Sequence, residues 1–346
     1  MEKELSRRDF LKLGGLALGG LAFRGLASEL TPNRGEAIGL ARVTIQEIKI
    51  YSEPSYQSEE VGLRKRDQLL YLYEKITSPL GPEFNPRWYR VEGGYAHTAY
   101  LQPVETTLHA PVTNIPAEGQ LFEVSVPLTQ TLRYTKTYGW QPLYRLYYQS
   151  MHWVTGVDIG PDGQLWYRIT DDLLLLDYHV QAKHMRLVEP EEYSPVSTDV
   201  PLGEKRVEVS IDEQTLTAYQ HGEVVLYTQI STGIPGLAPN SPTPTATPRG
   251  SHFVRSKVPV RHMGNGQLTN DISAYELPGV PWCSYFTDTG VAFHGTYWHD
   301  NYGNEMSHGC VNMRPEEAKW LFRWLAPVSE PLEWEQNGRG TNVYVF

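Results

Sequence analysis

From about Ala41 onward the chain runs in short bursts of alternating apolar and polar residues, each stopped within a few positions by Gly or Pro. An alternation of period two puts every second side chain on one face, so such a chain buries its apolar residues as strands and not as helices. Composition supports the same reading, because 22 Tyr and 9 Trp suit strands while 30 Gly and 25 Pro suit tight turns. With 40% hydrophobic residues the chain can build real cores, which excludes wholesale disorder. At 346 residues it calls for two or three domains on a prior of roughly 150 residues each. A net charge of −10 argues against a nucleic-acid partner, since phosphate neutralisation needs clustered Lys and Arg. Only Cys283 and Cys310 are present, which excludes both a disulfide-stapled small fold and a four-cysteine zinc site.

Residues 1–27 read as an address. Arg7-Arg8 precede Phe10-Leu11-Lys12 and an uncharged run from Leu13 to Phe23, the order of a twin-arginine export signal. The run falls short of the roughly 20 apolar residues that span a bilayer. The expected location is therefore outside the cytoplasm, in the periplasm or cell wall. The signal is either cut after Ala27 or left as the only membrane anchor.

Beyond the signal, Val43-Thr44-Ile45 and Leu69 to Tyr73 read as strands, and one internal echo stands out. Trp88-Tyr89-Arg90-Val91 recurs as Trp166-Tyr167-Arg168-Ile169, and a Tyr-containing strand follows each copy. Two copies at domain-sized spacing predict two small β-barrels in tandem. Residues 40–105 and, more weakly, 120–190 resemble the SH3-like modules of exported wall enzymes, which act either as spacers or as wall binders. Residues 191–201, rich in Pro, Ser and acidic side chains, read as a linker.

Residues 202–346 form the last expected domain. Val207, Val209 and Ile211 share one face of a strand, and strands at Leu216–Tyr219 and Val224–Ser231 complete a meander. Pro239–Pro248 reads as a long loop inside the domain. Ala318, Leu321, Phe322 and Leu325 recur at i, i+3, i+4, i+7 behind Pro315 and two glutamates, which predicts a helix starting there. Val343–Phe346 closes the chain as a strand. Residues 197–346 are expected to fold as a unit.

The chemistry concentrates in Val291-Ala292-Phe293-His294-Gly295 and Ser307-His308-Gly309-Cys310-Val311-Asn312. A thiol becomes a strong nucleophile when an imidazole takes its proton, so Cys310 and His294 are the candidate nucleophile and general base. On this reasoning the pairing holds the thiol below its free value of about 8.5. Amides around Gly309 and Cys310 are candidate oxyanion donors. Cys283 reads as a buried packing residue.

The two segments together resemble the catalytic motif of the L,D-transpeptidases, exported enzymes that crosslink peptidoglycan. The likeness runs from about Lys205 to Phe346 and includes Ser231-Thr232-Gly233 and the Thr247–Val254 stretch. It implies a mainly β, sandwich-like catalytic domain with one or two short helices behind the two SH3-like barrels. It further implies Cys310 as nucleophile and His294 as general base and acid, oriented by a backbone carbonyl near Gly295. His308 and Gly309 shape the site, with His308 either positioning the loop or only forming the turn. Ser307, Asn312 and Trp298 are implied to border the substrate cleft, where many relatives carry Arg in place of Asn312.

The implied substrates are peptidoglycan stem peptides, donor and acceptor, and carbapenems are the implied inhibitors. The implied reaction forms 3→3 crosslinks, while water in place of the acceptor amine makes the same site an L,D-carboxypeptidase. Anchoring of a protein to the wall is a third outcome. Two rival classes remain: a non-catalytic wall-binding protein, and a zinc site from His294, His299, Asp300, His308 and Cys310, which lacks any paired ligand spacing. No metal or cofactor is expected.

Overall fold

The computed structural model describes residues 36–238, 244–328 and 335–346. The export signal expected at 1–27 and positions 239–243 of the Pro239–Pro248 loop lie outside these residues. Among the described residues no helix is long and apolar enough to cross a membrane.

The chain is mainly β, as the alternation requires, and the strands of the described residues form five sheets. Residues 39–104 supply a three-stranded and a five-stranded sheet around a core of Ala41, Val43, Ile50, Tyr89, Val91 and Leu101. The strand expected at Val43–Ile45 lies earlier, at Gly39–Val43, because Arg42 and Val43 pair with Leu69 and Leu101 before the chain turns. Residues 120–187 supply a seven-stranded sheet with its own core around Phe122, Tyr167 and Tyr178. Both copies of the Trp-Tyr-Arg echo occupy the same local order. Arg87–Val91 pairs with Gly94–His97, and Leu165–Thr170 with Asp177–Gln181. Each pair then runs into a single 3-10 turn and a short strand.

Two five-stranded sheets follow. The first runs in spatial order Glu223–Gln229, Thr215–Gln220, Lys205–Ser210, Asn342–Val345, Gly250–Phe253. The second runs Val311–Met313, Ala292–Gly295, Glu276–Tyr285, Ser256–Gly264, Gln336–Asn337. The opening meander expected at 207–231 is the edge of the first sheet. Val207, Val209, Val343 and Val345 of that sheet share one apolar cluster with Phe293, Val311 and Met313 of the second. The helix begins at Pro315, as its spacing requires, and buries Ala318, Leu321 and Phe322 in the same cluster. Two lysines close its C-terminal end. Lys257 Nζ donates to the carbonyls of Phe322 and Leu325, and Lys205 Nζ to that of Trp324, satisfying acceptors that no helical N–H reaches.

The segment read as a linker is tied down. Pro190–Tyr193 makes a helical turn with a capping box between Glu189 and Glu192. Glu192 bridges Arg186 and Lys319, and Arg323 Nε donates to the Ser194 carbonyl. The large apolar cluster also reaches back across it to Leu121, Met151, Trp153 and Val188. Residues 197–346 therefore share part of their core with the preceding sheet. Removing the upstream chain would bare that apolar surface to water.

Candidate active site

His294 and Cys310 owe their proximity to one parallel strand pair. Ala292–Gly295 and Val311–Met313 run parallel, with Phe293 opposite Val311 and His294 opposite Asn312. A parallel pair needs a crossover between its strands, and residues 296–310 are that crossover. One step back along the ladder sets Cys310 beside Ala292, whose backbone is hydrogen-bonded to the thiol. Side chains two residues apart share a face, so His294, Asn312 and Cys310 all project from the same side of the sheet. The opposite side carries Phe293 and Val311 into the core. Cys310 and His294 are thus one interstrand spacing (about 4.8 Å) and two residues (about 6.6 Å) apart along the ladder. That offset is within the reach of an imidazole.

The turn that carries the thiol is tightly braced. Ser307 Oγ donates to the Cys310 carbonyl (2.5 Å) and accepts from the Gly309 N–H (3.0 Å). Thr247 Oγ1 donates to the Gly309 carbonyl at 2.7 Å and accepts from the Gly233 N–H at 2.9 Å. Gly309 sits at φ 127°, a conformation that disfavours any residue with a Cβ. Gly233 packs directly against it, and a side chain there would strike the Gly309 backbone. Ser231-Thr232-Gly233 and Thr247, both noted in the sequence, are therefore the scaffold of the nucleophile turn.

His294 Nδ1 lies 3.0 Å from the Gly295 carbonyl oxygen, which can only accept, so Nδ1 carries the proton and Nε2 is left as the base. Burial holds this imidazole down to about 4, opposed by its bond to Gly295. Cys310 is half-buried and its Sγ is 3.9 Å from the Gly290 carbonyl. Burial pushes the thiol up to about 11, with the Ala292 hydrogen bond opposing. This corrects the expectation of a depressed thiol. Base and nucleophile are both neutral at rest, because burial disfavours the charged form of each and no neighbouring charge offsets it.

Of the other expected residues, Trp298 stands beside the base, its ring 5.8 Å from that of His294. His308 is exposed and packs its ring 4.9 Å from Tyr275, with Nδ1 3.5 Å from the tyrosine hydroxyl. Tyr275 itself, raised chiefly by burial, was not anticipated. The Gly309 N–H, a candidate oxyanion donor, is already spent on Ser307 Oγ. Ser307 is buried and braces the nucleophile turn. Asn312 is buried as well.

Asn312 pairs with His299, its side-chain amide 2.8 Å from His299 Nε2. His299 Nδ1 accepts the Asn301 backbone N–H at 3.2 Å, so the single proton of this neutral ring is on Nε2 and must be donated. Burial holds the ring neutral, down to about 3. Its partner is then the amide oxygen of Asn312, with the NH2 turned to the position where an oxygen would be buried without a partner. The result is a buried amide whose oxygen accepts from His299 Nε2. Long-range 1H–15N NMR should therefore find two neutral rings of opposite tautomer, Nδ1–H in His294 and Nε2–H in His299. Matching tautomers would exclude this amide orientation. The same bonds commit His299 to two asparagines, and no three-residue metal cluster occurs among the described residues.

A mainly β fold that carries a thiol and an imidazole base on one face of a parallel strand pair has the layout that thiol acyl transfer requires. Residues 204–345 match the model of the L,D-transpeptidase catalytic domain, and this part of the chain belongs to that family. L,D-transpeptidase 1 of Mycobacterium tuberculosis is 29% identical over 167 residues, covering 42% of this chain and 60% of that protein. The chain thus spans about 60% of the length of that curated relative. The E. faecium L,D-transpeptidase catalytic domain acylated by ertapenem is 31% identical, covering 41% of this chain and 97% of that one, with a TM-score of 0.29. An L,D-transpeptidase from Mycobacterium smegmatis is 20% identical over 72% of this chain and 92% of its own, with a TM-score of 0.32.

Proposed function

We propose that this protein is an exported L,D-transpeptidase that forms 3→3 peptidoglycan crosslinks through an acyl-enzyme on Cys310. The observation that carries the reading is the shared face of Cys310 and His294 inside an L,D-transpeptidase domain. The thiol attacks the donor-stem carbonyl while His294 Nε2 takes its proton, so charge separates only as the S–C bond forms. With the Gly309 N–H occupied, the Cys310 amide is left to meet the developing oxyanion. The C–N bond then breaks, and the departing D-residue amine leaves with the proton from His294. An acceptor-stem amine attacks the thioester and gives its proton to His294, and the crosslinked product departs as the thiol is reprotonated. The Gly295 carbonyl stabilises the transient imidazolium through Nδ1 in both halves.

In this reading residues 1–27 direct export, and the sheets of residues 39–187 serve as SH3-like modules that face the wall. The test is muropeptide mass spectrometry after incubation of the purified protein with disaccharide-tetrapeptides. Dimers joined 3→3 are the expected product. Tripeptide monomers alone would make the enzyme an L,D-carboxypeptidase, and unchanged substrate would make it a wall-binding protein.

A further inference from the structure

The crossover that joins the two catalytic strands is held from outside the family-matched residues. Residues 296–310 link a parallel pair and form no strand of their own, so their backbone groups must find partners wherever the chain passes. At Asp300 those partners lie upstream of residues 204–345. Its N–H donates to the Ala99 carbonyl at 2.8 Å, and its carbonyl accepts from Asn85 Nδ2 at 3.0 Å. Close packing accompanies the bonds. Gly303 sits at φ 95°, and a Cβ there would come within 3.1 Å of the Phe84 carbonyl oxygen.

Asn85 is the centre of this joint. It is fully buried, in the loop between Glu74–Thr77 and Arg87–Val91. Arg87 Nε donates to its Oδ1 at 2.9 Å, and because a guanidinium can only donate, the amide is fixed with its NH2 toward the crossover. That NH2 also lies 3.3 Å from Asn301 Oδ1. The Asn85 backbone carbonyl accepts from His97 Nε2 at 2.7 Å, and His97 Nδ1 accepts from the Ala99 N–H at 3.2 Å. Burial lowers this imidazole, which keeps it the neutral ring that one donating and one accepting nitrogen require. Asn85, His97, Ala99 and Asp300 therefore close a ring of hydrogen bonds between the upstream sheets and the crossover.

From that ring the path to the base is short. The Asn301 N–H donates to His299 Nδ1, His299 Nε2 donates to Asn312, and Asn312 stands opposite His294 in the parallel ladder. Trp298, one residue earlier in the crossover, lies against the His294 ring. The stretch 298–301 thus carries two rings that surround the base, and Asn85 fixes its far end.

We propose that Asn85 is a positioning residue for acyl transfer, holding residues 298–301 from the upstream sheets so that Trp298 and His299 keep His294 aimed at Cys310. The proposal rests on the thiol–imidazole pair of the transpeptidase reading, and it makes the sheets of residues 39–104 a working part of the active site. A misplacement of about 1 Å costs about 10² in rate. A slackened crossover should therefore slow proton transfer to His294 and spare the thiol itself.

The experiment uses the full chain and reads acylation of Cys310 by p-nitrophenyl acetate across pH 6 to 9. This reagent needs only the thiol and its base, not a stem peptide. In the wild type the rate should be nearly flat around neutrality, because a neutral His294 removes the proton at every pH above its own range. Asn85→Ala should lower the rate at pH 7 by about 10- to 100-fold. Its profile should also climb steeply toward alkaline pH, the mark of a thiol that must ionise unaided. Alkylation of Cys310 by iodoacetamide at pH 9 should stay close to wild type. Val91→Ala, which loosens the core of the same sheets without touching the crossover, should keep the flat profile. An Asn85→Ala profile as high and flat as wild type would mean that the crossover holds itself. A profile lowered but still flat, or one matched by Val91→Ala, would mean a structural role alone; each of these results overturns the proposal. Carbapenem acylation of the wild type is measured in parallel. Failure of the carbapenem alone would sink the transpeptidase reading, whereas a wild type inert to both reagents would sink the positioning role as well.

Discussion

Cys310→Ala is expected to abolish acyl-enzyme formation and crosslinking together, while Cys283→Ala leaves both close to wild type. The two thiols separate on burial and setting. Cys283 is fully buried in a small apolar cluster with Val258 and Val280, and burial pushes it well above the ordinary thiol range. Cys310 is partly open to solvent at the end of a braced turn. A carbapenem offers a strained amide in place of the donor carbonyl, so intact-mass measurement should find one added drug mass on the peptide that contains Cys310. His294→Ala removes the base from that face and should slow acylation by about 10²–10⁴. The neutral resting pair adds a sharper expectation. With the thiol up at about 11, alkylation by iodoacetamide should be slow at pH 7 and climb through the alkaline range. Acylation by a substrate-like amide should instead need only a neutral His294, whose value of about 4 leaves it competent at neutral pH. A plateau of alkylation already at pH 7 would mean a preformed thiolate and would contradict the neutral pair.

What was legible in the sequence was whatever local spacing encodes. Val207 and Val209 alternate, and they are core. Ala318, Leu321 and Phe322 repeat at helical spacing, and they share one buried face. The Phe-His-Gly and Ser-His-Gly-Cys segments were found because each is contiguous, and the parallel ladder then brings them together. The contacts that were missed join residues with no common period. Asp171 and His262 stand 91 positions apart, and Arg42 and Tyr297 are separated by 255. A signal did exist for another missed contact, that of Lys257 with the Phe322 and Leu325 carbonyls. Lys257 sits in the run Ser256-Lys257-Val258-Pro259-Val260, a charge inside an otherwise apolar strand, and such a charge must find partners when buried. The partner of Asn312 was missed for a related reason. A polar residue beside a nucleophile reads as a substrate contact, and nothing in the local spacing announces its buried bond to a second histidine.

The largest stability loss is expected at His262. It lies where the turn after Leu165–Thr170 meets the second catalytic sheet, with Nδ1 2.7 Å from Asp171 and Nε2 3.0 Å from Glu276. All three side chains are at most 4% exposed. Asp172 faces the same strand and is bonded to Arg261 and to the His262 N–H, while the Tyr144 ring packs edge-on against the imidazole. Burial alone would lower His262, but its bond to Asp171 and the surrounding carboxylate charge win, and it is raised. His262→Ala strips the cation from two buried carboxylates. Breaking a buried pair in this way costs about 3–5 kcal/mol, a shift that thermal denaturation will read easily. The difference between wild type and variant should itself depend on pH. A raised histidine contributes fully below its unfolded value of about 6.5 and loses the contribution as pH climbs through the raised folded value. Asp171 is lowered, so its part is present above the unfolded carboxylate range and disappears in acid. The gap between the two melting temperatures should therefore be widest in mildly acidic solution and narrow on the alkaline side. His152, His294 and His299 are all held neutral by burial, so the wild-type protein as a whole loses stability as pH falls below about 6.5, which is why the difference and not the wild-type curve isolates this cluster. A gap that stays constant from pH 5 to 9 would show that His262 acts by packing alone.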